Sequence, residues 1–248
     1  MTIHEYGTGK EVIMLLHPSV VMWDYFDYII PLLEEKYRLI IPALPGYDEQ
    51  NPNENFTSVE KIAAALSKWL TEHKIETVGC SMGGSIILRM LAERLVTVKN
   101  VVCDGGITPY QLPWIVTRFI AIRDFLMIAM GKIGGLKLLE KAFSTDEYSA
   151  EDLKYAAKVL RFISYKTIWR TFESCNNYTM PDSIPEYHGR FQYWYGDKEE
   201  KDRAWDIKYI KERFPNAEFV KLKNMGHGSM ASLHPQEMAE RFRDLIEK

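Results

Sequence analysis

Glu76-Thr77-Val78-Gly79-Cys80-Ser81-Met82-Gly83-Gly84-Ser85 is the stretch around which the chain is organised. A short β-type run reads as ending at Gly79, and a helical pattern (Ile86, Ile87, Met90, Leu91, Leu95) begins within a turn of Ser81. Between them, Gly79-Cys80-Ser81-Met82-Gly83 fits G-x-S-x-G. The spacing has a steric cause. A serine on a tight strand-to-helix turn takes strained backbone angles, and neighbouring backbone comes so close that the positions two before and two after must be small. The hydroxyl then stands clear of the sheet. The first N–H groups of the following helix, at its positive dipole end, suit a developing oxyanion. Glycine-rich turns of this kind also bind phosphates, so context must decide.

Working outward, strand and helix alternate. Residues 2–6 and 11–16 read as two strands joined in a hairpin by Gly7-Thr8-Gly9-Lys10. Val12-Ile13-Met14-Leu15-Leu16 is continuously apolar, as a strand covered on both faces should be, and runs into His17-Pro18-Ser19. Helical spacing from Trp23 to Glu35 leads to a second buried run, Tyr37 to Ile41. Thr57-Ser58-Val59-Glu60 has capping-box form and opens a helix with the stripe Ile62, Leu66, Trp69, Leu70. Beyond the central stretch, Asn100-Val101-Val102-Cys103 is a strand leading to Asp104-Gly105-Gly106. This alternation predicts an α/β fold with a mostly parallel sheet and helices on both faces.

From residue 108 to 185 the rhythm breaks into helical stripes punctuated by Gly131, Gly134-Gly135, Ser144-Thr145 and a loop from Asn176 to Pro185, with a helix start at Ser149. It then resumes: a strand over Arg190–Tyr195, a helix over Asp202–Phe214, a last strand over Ala217–Leu222, and a closing helix from His234. Residues 1–107 and 186–248 therefore form one α/β core, and 108–185 an inserted helical cap.

Composition excludes several function classes. The chain has 248 residues, 46% hydrophobic and 26% charged, with a net charge of −3. That profile carries no electrostatic footprint for nucleic acid or an anionic membrane. Three cysteines without a C-x-x-C pair argue against a disulfide framework or zinc site and for a reducing compartment. The N-terminal residues carry no basic-then-apolar signal and no run approaches spanning length, so the expectation is a cytoplasmic protein. No metal or other cofactor is expected.

Three chemistry-bearing features fall where strand ends meet loops: Ser81, the acidic tract Gly196-Asp197-Lys198-Glu199-Glu200, and His227 within Gly226-His227-Gly228. With His17-Pro18 and the Gly79-to-Gly84 segment, they make the chain resemble an α/β-hydrolase with a helical lid over essentially its full length. The resemblance implies Ser81 as nucleophile, His227 as general base and Glu199, three after Gly196, as the acid. Asp197, Glu200, Asp202 and Asp104 remain rivals for the acid. It also implies the backbone N–H of Met82 as one oxyanion donor. The usual His-Gly is here His17-Pro18, and proline has no N–H. Ser19 becomes the second donor, with Val20 the alternative; each such donor lowers the barrier by roughly 3 kcal/mol. Cys80, one residue before the serine, reads as small and buried. His17 reads as a brace of the oxyanion loop.

The inserted block, rich in Trp114, Phe119, Phe125, Met127, Met130 and other large apolar groups, implies a mainly apolar pocket. His17, Val20 and Trp114 are its candidate substrate contacts. The expected reaction is hydrolysis of a small or medium uncharged acyl ester through a Ser-His-Glu triad and an acyl-enzyme. A non-catalytic ligand-binding protein on the same fold, or a C–C hydrolase, thioesterase or acyltransferase, are the alternatives.

Overall fold

The computed structural model describes residues 1–94, 96–109, 112–143, 148–181, 186–228 and 230–247, with the backbone but not the side chain of Ser81. A seven-stranded sheet forms the centre: β1 (Ile3–Tyr6), β2 (Val12–Leu15), β3 (Arg38–Pro42), β4 (Thr77–Gly83), β5 (Thr97–Asp104), β6 (Arg190–Gly196) and β7 (Glu218–Leu222). Their spatial order is β1-β3-β2-β4-β5-β6-β7. Every pairing is parallel except β1 with β3.

The continuous apolar runs are explained by two cores, one on each face. Ile13 and Leu15 of β2 point into a core shared with α1 (Ile30–Leu33), α8 (Met230–Leu233) and α9 (Pro235–Glu247). Met14 and Leu16 point the other way, toward α2 (Val59–Glu72), α3 (Ser85–Glu93) and α7 (Ala204–Arg213). A strand residue on either face is therefore buried. Helices α4 (Trp114–Ala142), α5 (Ala150–Phe162) and α6 (Tyr165–Asn177) lie between β5 and β6 in sequence and add Leu139, Leu160 and Ile168 to the second core. No helix among the described residues is long and apolar enough to cross a membrane.

Four local expectations are corrected. The hairpin of residues 2–6 with 11–16 does not form. β2 already has β3 and β4 on its two sides, so β1 pairs with the free edge of β3, Ile3 opposite Pro42 and Tyr6 opposite Leu39. Gly7, at φ 68, makes the crossing where a Cβ would lie 2.2 Å from the Tyr37 carbonyl oxygen. The Trp23–Glu35 helix is a short 3₁₀ turn, Trp23–Phe26, followed by the single-turn α1. Pro31, without an N–H, sits in that first turn, the position where helices tolerate it. In α2 the cap is Ser58, whose Oγ accepts from the Lys61 N–H; Glu60 reaches instead to the Thr179 N–H at 2.9 Å. The full capping box is at Ser149 and Asp152, opening α5 where the sequence placed a helix start.

The fourth correction concerns the central stretch. β4 does not end at Gly79 but continues through Gly83, with Ser81 opposite Met14 and Val101 and Gly83 opposite Cys103. Strands flank β4 on both sides to that depth, and the Leu16 N–H bonds the Met82 carbonyl at 2.9 Å. The chain turns instead at Gly84 (φ −124, ψ −121), the N-cap of α3. There two glycine pairs touch: a Cβ on Gly106 would stand 2.7 Å from the Gly84 Cα. Gly106 must be glycine for the segments to pass, and a Cβ on Gly84 would crowd the Gly106 Cα at 3.2 Å.

Candidate active site

The site lies at the C-terminal ends of β2, β4, β5, β6 and β7, where loops from separate strands converge on one cavity of about 110 Å³. Its floor is Met82-Gly83-Gly84-Ser85. One wall is His17-Pro18-Ser19 with Leu44, and another is Asp104-Gly105-Gly106 with His227 and Gly228. Thr171 and Cys175 of α6 close it from above.

Glu199 and His227, 28 residues apart, meet here: His227 Nδ1 is 3.0 Å from Glu199 Oε2. A tight turn presents the carboxylate, since the Glu199 N–H bonds the Gly196 carbonyl and the Gly196 N–H bonds Glu199 Oε1, both at 3.2 Å. Burial favours the protonated carboxyl. The His227 hydrogen bond and charge, the Gly196 N–H and the Arg203 guanidinium outweigh it and hold the Glu199 pKa below its ordinary value. For His227 burial acts to lower the pKa, and the Glu199 carboxylate overcomes it, so the imidazole pKa is raised. With Nδ1 engaged by the acid, Nε2 is left for the cavity; the His227 side chain is 51% exposed.

The rival acids have other partners or positions. Asp197 Oδ2 accepts from the Asn224 N–H, and Glu200 pairs with Lys221 at 2.7 Å on the surface. Asp202 is exposed. Asp104 lines the cavity, its carboxyl pushed up to about 6 by burial, with the Glu199 charge adding to the rise and His227 opposing it.

His17 is a brace. Its Nε2 accepts from the Leu44 N–H at 3.2 Å, which leaves Nδ1–H to donate to the Pro18 carbonyl at 2.9 Å. Burial drives its pKa down to about 4, against a partial rise from that carbonyl, so the ring is neutral. Ser19 and Met82 both line the cavity. Val20 does not: it sits at φ 69, outside the residues that line the cavity. Trp114 is not brought to the cavity either. It stands 66% exposed in the first turn of α4 with the Arg118 guanidinium 4.8 Å over its ring. Cys80 is fully buried, and burial pushes its thiol well up. The backbone of Ser81 precedes Met82 of the cavity floor within β4; its side chain lies outside the described residues.

Three contributors were not singled out in the sequence. Gly105, at φ 56, leaves room for the imidazole, because a Cβ there would fall 2.5 Å from His227 Nδ1. The paired glycines after β5 were the available signal. Arg203 donates to the Gly105 carbonyl at 3.1 Å and lies 3.6 Å from Glu199, joining the two loops. Tyr25 donates to the Gly228 carbonyl and so tethers the loop of His227. Nothing in a single sequence marks these two.

A parallel sheet with an acid–imidazole pair and a glycine-floored cavity at its C-terminal edge defines an α/β hydrolase architecture. A sequence model described as the alpha/beta hydrolase family matches residues 13–241, and the chain belongs to that family. It is 27% identical over 119 residues to the uncharacterized hydrolase YugF of Bacillus subtilis, covering 46% of this chain and 44% of that protein. It is 30% identical over 111 residues to the 2-hydroxy-6-oxononadienedioate/2-hydroxy-6-oxononatrienedioate hydrolase of Escherichia coli K12, covering 42% and 38%. The chain thus spans less than half the length of the curated relatives it matches. Among solved structures, an alpha/beta hydrolase family protein from Desulfitobacterium hafniense superposes with a TM-score of 0.79 at 21% identity, over 99% of this chain and 100% of that one. The esterase EaEST of Exiguobacterium antarcticum gives 0.78 at 15% identity, over 99% and 95%. These likenesses show the fold.

Proposed function

We propose that the protein is a serine hydrolase that cleaves a small acyl ester, with Ser81 as nucleophile, His227 as base and then acid, and Glu199 as the orienting carboxylate. The observation that carries this reading is the Glu199–His227 hydrogen bond at the rim of the cavity, with the imidazole edge open to it. His227 Nε2 takes the Ser81 proton as Oγ attacks the ester carbonyl, while Glu199 holds Nδ1–H and stabilises the imidazolium. The Met82 and Ser19 N–H groups receive the oxyanion. The proton then passes from Nε2 to the leaving alkoxide. A water deprotonated by His227 releases the acid and regenerates Ser81. Helices α4 to α6 serve as the cap, and α6 contributes the roof. Three free cysteines fit a cytoplasmic location.

Ser85 is the second hydroxyl to consider, because it lines the cavity. Its Oγ, however, donates to the Ile107 carbonyl at 2.8 Å. A fluorophosphonate probe with peptide mapping decides between them. The expected outcome is label on Ser81, lost together with p-nitrophenyl acetate turnover in Ser81→Ala and kept in Ser85→Ala. Label on Ser85, or turnover surviving in Ser81→Ala, sinks the assignment. Absence of label in a protein that binds ligands would make it a receptor on this fold. Carbon–carbon bond hydrolysis by the same residues is the second reading. It is favoured by the likeness to the E. coli enzyme named for an oxo-dienedioate and is separated by product analysis with such a substrate.

A further inference from the structure

Helix α4 carries a surface that the cavity does not use. Ile115, Phe119, Ile122, Leu126, Met130 and Ile133 recur at intervals of four and three along it, and all are exposed, Phe119 at 67% and Ile133 at 77%. Residues so spaced share one face, and the stripe from 115 to 133 is about 27 Å long. With Trp114 and Met127 beside it, the two aromatics at ~150–250 Å² each and the six aliphatics at roughly 150 Å² each, more than half exposed on average, present on the order of 800 Å² of apolar surface. A monomer's largest apolar patch is typically ~300–600 Å². A stable protein interface takes about 800 Å² from each partner.

We propose that the chain is an isologous dimer in which the exposed faces of two α4 helices pack against each other. Charge selects a second copy over an anionic lipid surface. Three of the cations that border the stripe are held within the chain, Arg118 by Glu173 at 2.8 Å, Arg123 by Asp124 at 2.6 Å, and Lys132 by the carbonyls of Leu160, Arg161 and Ile163, while Lys137 lies exposed one turn beyond Ile133. The whole chain carries −3, which an anionic membrane repels. The stripe itself holds no charge, so two copies related by a two-fold axis meet without like-charge repulsion and present the same surface to each other. A helix that packs one side against its own chain and exposes a second, apolar side leaves that side to be covered, and dimerisation covers it. Because α4 packs on α5 and α6, and α6 roofs the cavity, the contact would also fix the cap. The inference does not depend on which reaction the cavity performs.

Sedimentation velocity and light scattering over a micromolar concentration series test it. The expected mass is twice 28.9 kDa. Phe119→Glu combined with Met130→Glu, both at exposed positions, should raise the dissociation constant by about a hundredfold or more and give the 28.9 kDa species with an unchanged circular dichroism spectrum. Tyr28→Glu, an exposed aromatic beside Phe26 and Ile29 of the core on the other face of the sheet from α4, should leave the dimer intact. A wild-type monomer throughout the series, or a dimer indifferent to the double substitution, overturns the proposal. So does a monomer that co-sediments with phosphatidylcholine or phosphatidylglycerol vesicles, which would make lipid the occupant. If the double variant misfolds, the single change Phe119→Ser repeats the comparison.

Discussion

Two histidines show how burial and partners set opposite tasks. His227 is raised because the Glu199 carboxylate outweighs burial. Only its neutral form accepts a proton, so turnover should fall as pH drops through a value above the ordinary 6.5. Glu199→Gln removes the charge that raises it, and the acid limb of kcat/KM should move to lower pH while kcat falls roughly 10²–10⁴-fold. A pH–rate profile of unchanged position and height in that variant would remove Glu199 from the site. His17 is depressed to about 4 by burial, so its neutral form is the native one. At pH between its folded value and 6.5 the unfolded chain binds the extra proton, so stability declines as pH falls across that window. Below about 4 the contribution is fully lost. The span corresponds to on the order of 3 kcal/mol. His17→Asn should flatten that part of the urea-denaturation midpoint against pH, and a slope identical to wild type would show that His17 does not supply it.

At the scale of elements, side chains from one helix finish another. The Lys132 ammonium in α4 lies against the carbonyls of Leu160, Arg161 and Ile163, at 2.6, 2.9 and 2.9 Å, where α5 ends and its last C=O groups lack helical partners. Lys132→Met should cost about 1–3 kcal/mol by chemical denaturation, against within ~0.5 for the exposed Lys137→Met. Equal effects would mean that the carbonyls find water instead. The same reliance on tertiary partners explains which elements could be read in the sequence. The buried runs of β2 and β3 were legible because two covered faces demand unbroken apolar residues. Ser149 was legible because its capping box is local. Gly7 to Lys10 looked like a hairpin turn because nothing local reveals that β3 and β4 flank β2. Glu60 looked like a capping partner, but a loop residue 119 positions on, Thr179, competes for it. The end of β4 was misplaced for a related reason. Gly79 and Gly83 both satisfy a tight-turn pattern, and the depth of the flanking strands decides where the chain turns. Of the site, the Glu199–His227 pair followed from the family resemblance, which puts the acid three residues after Gly196, while chain order alone left four rival acids; the Arg203 and Tyr25 tethers required folded neighbours.

For the whole molecule, the sheet edge and the helical block together bound the cavity, and under the proposed reaction they would limit the acyl group. The cavity of about 110 Å³ lies between the glycine floor of β4 and Thr171 and Cys175 of α6, so neither part defines it alone. At about 10–15 Å³ of such space per water-sized group, it holds on the order of ten heavy atoms, shared between the acyl and alcohol parts of a bound ester. Hydrolysis of p-nitrophenyl esters should therefore be most efficient for acetyl to butyryl groups, and kcat/KM should fall by about tenfold or more for each methylene that no longer fits. Cys175 permits a test of the roof. Burial pushes its thiol up to about 12, so it is uncharged at working pH and its replacement changes volume without changing charge. Cys175→Ala should shift the chain-length optimum toward longer acyl groups, and Cys175→Phe should confine activity to acetate. An optimum at octanoate in the wild type, or one that neither substitution moves, would mean that the acyl chain leaves the cavity by another route and that α6 does not roof it.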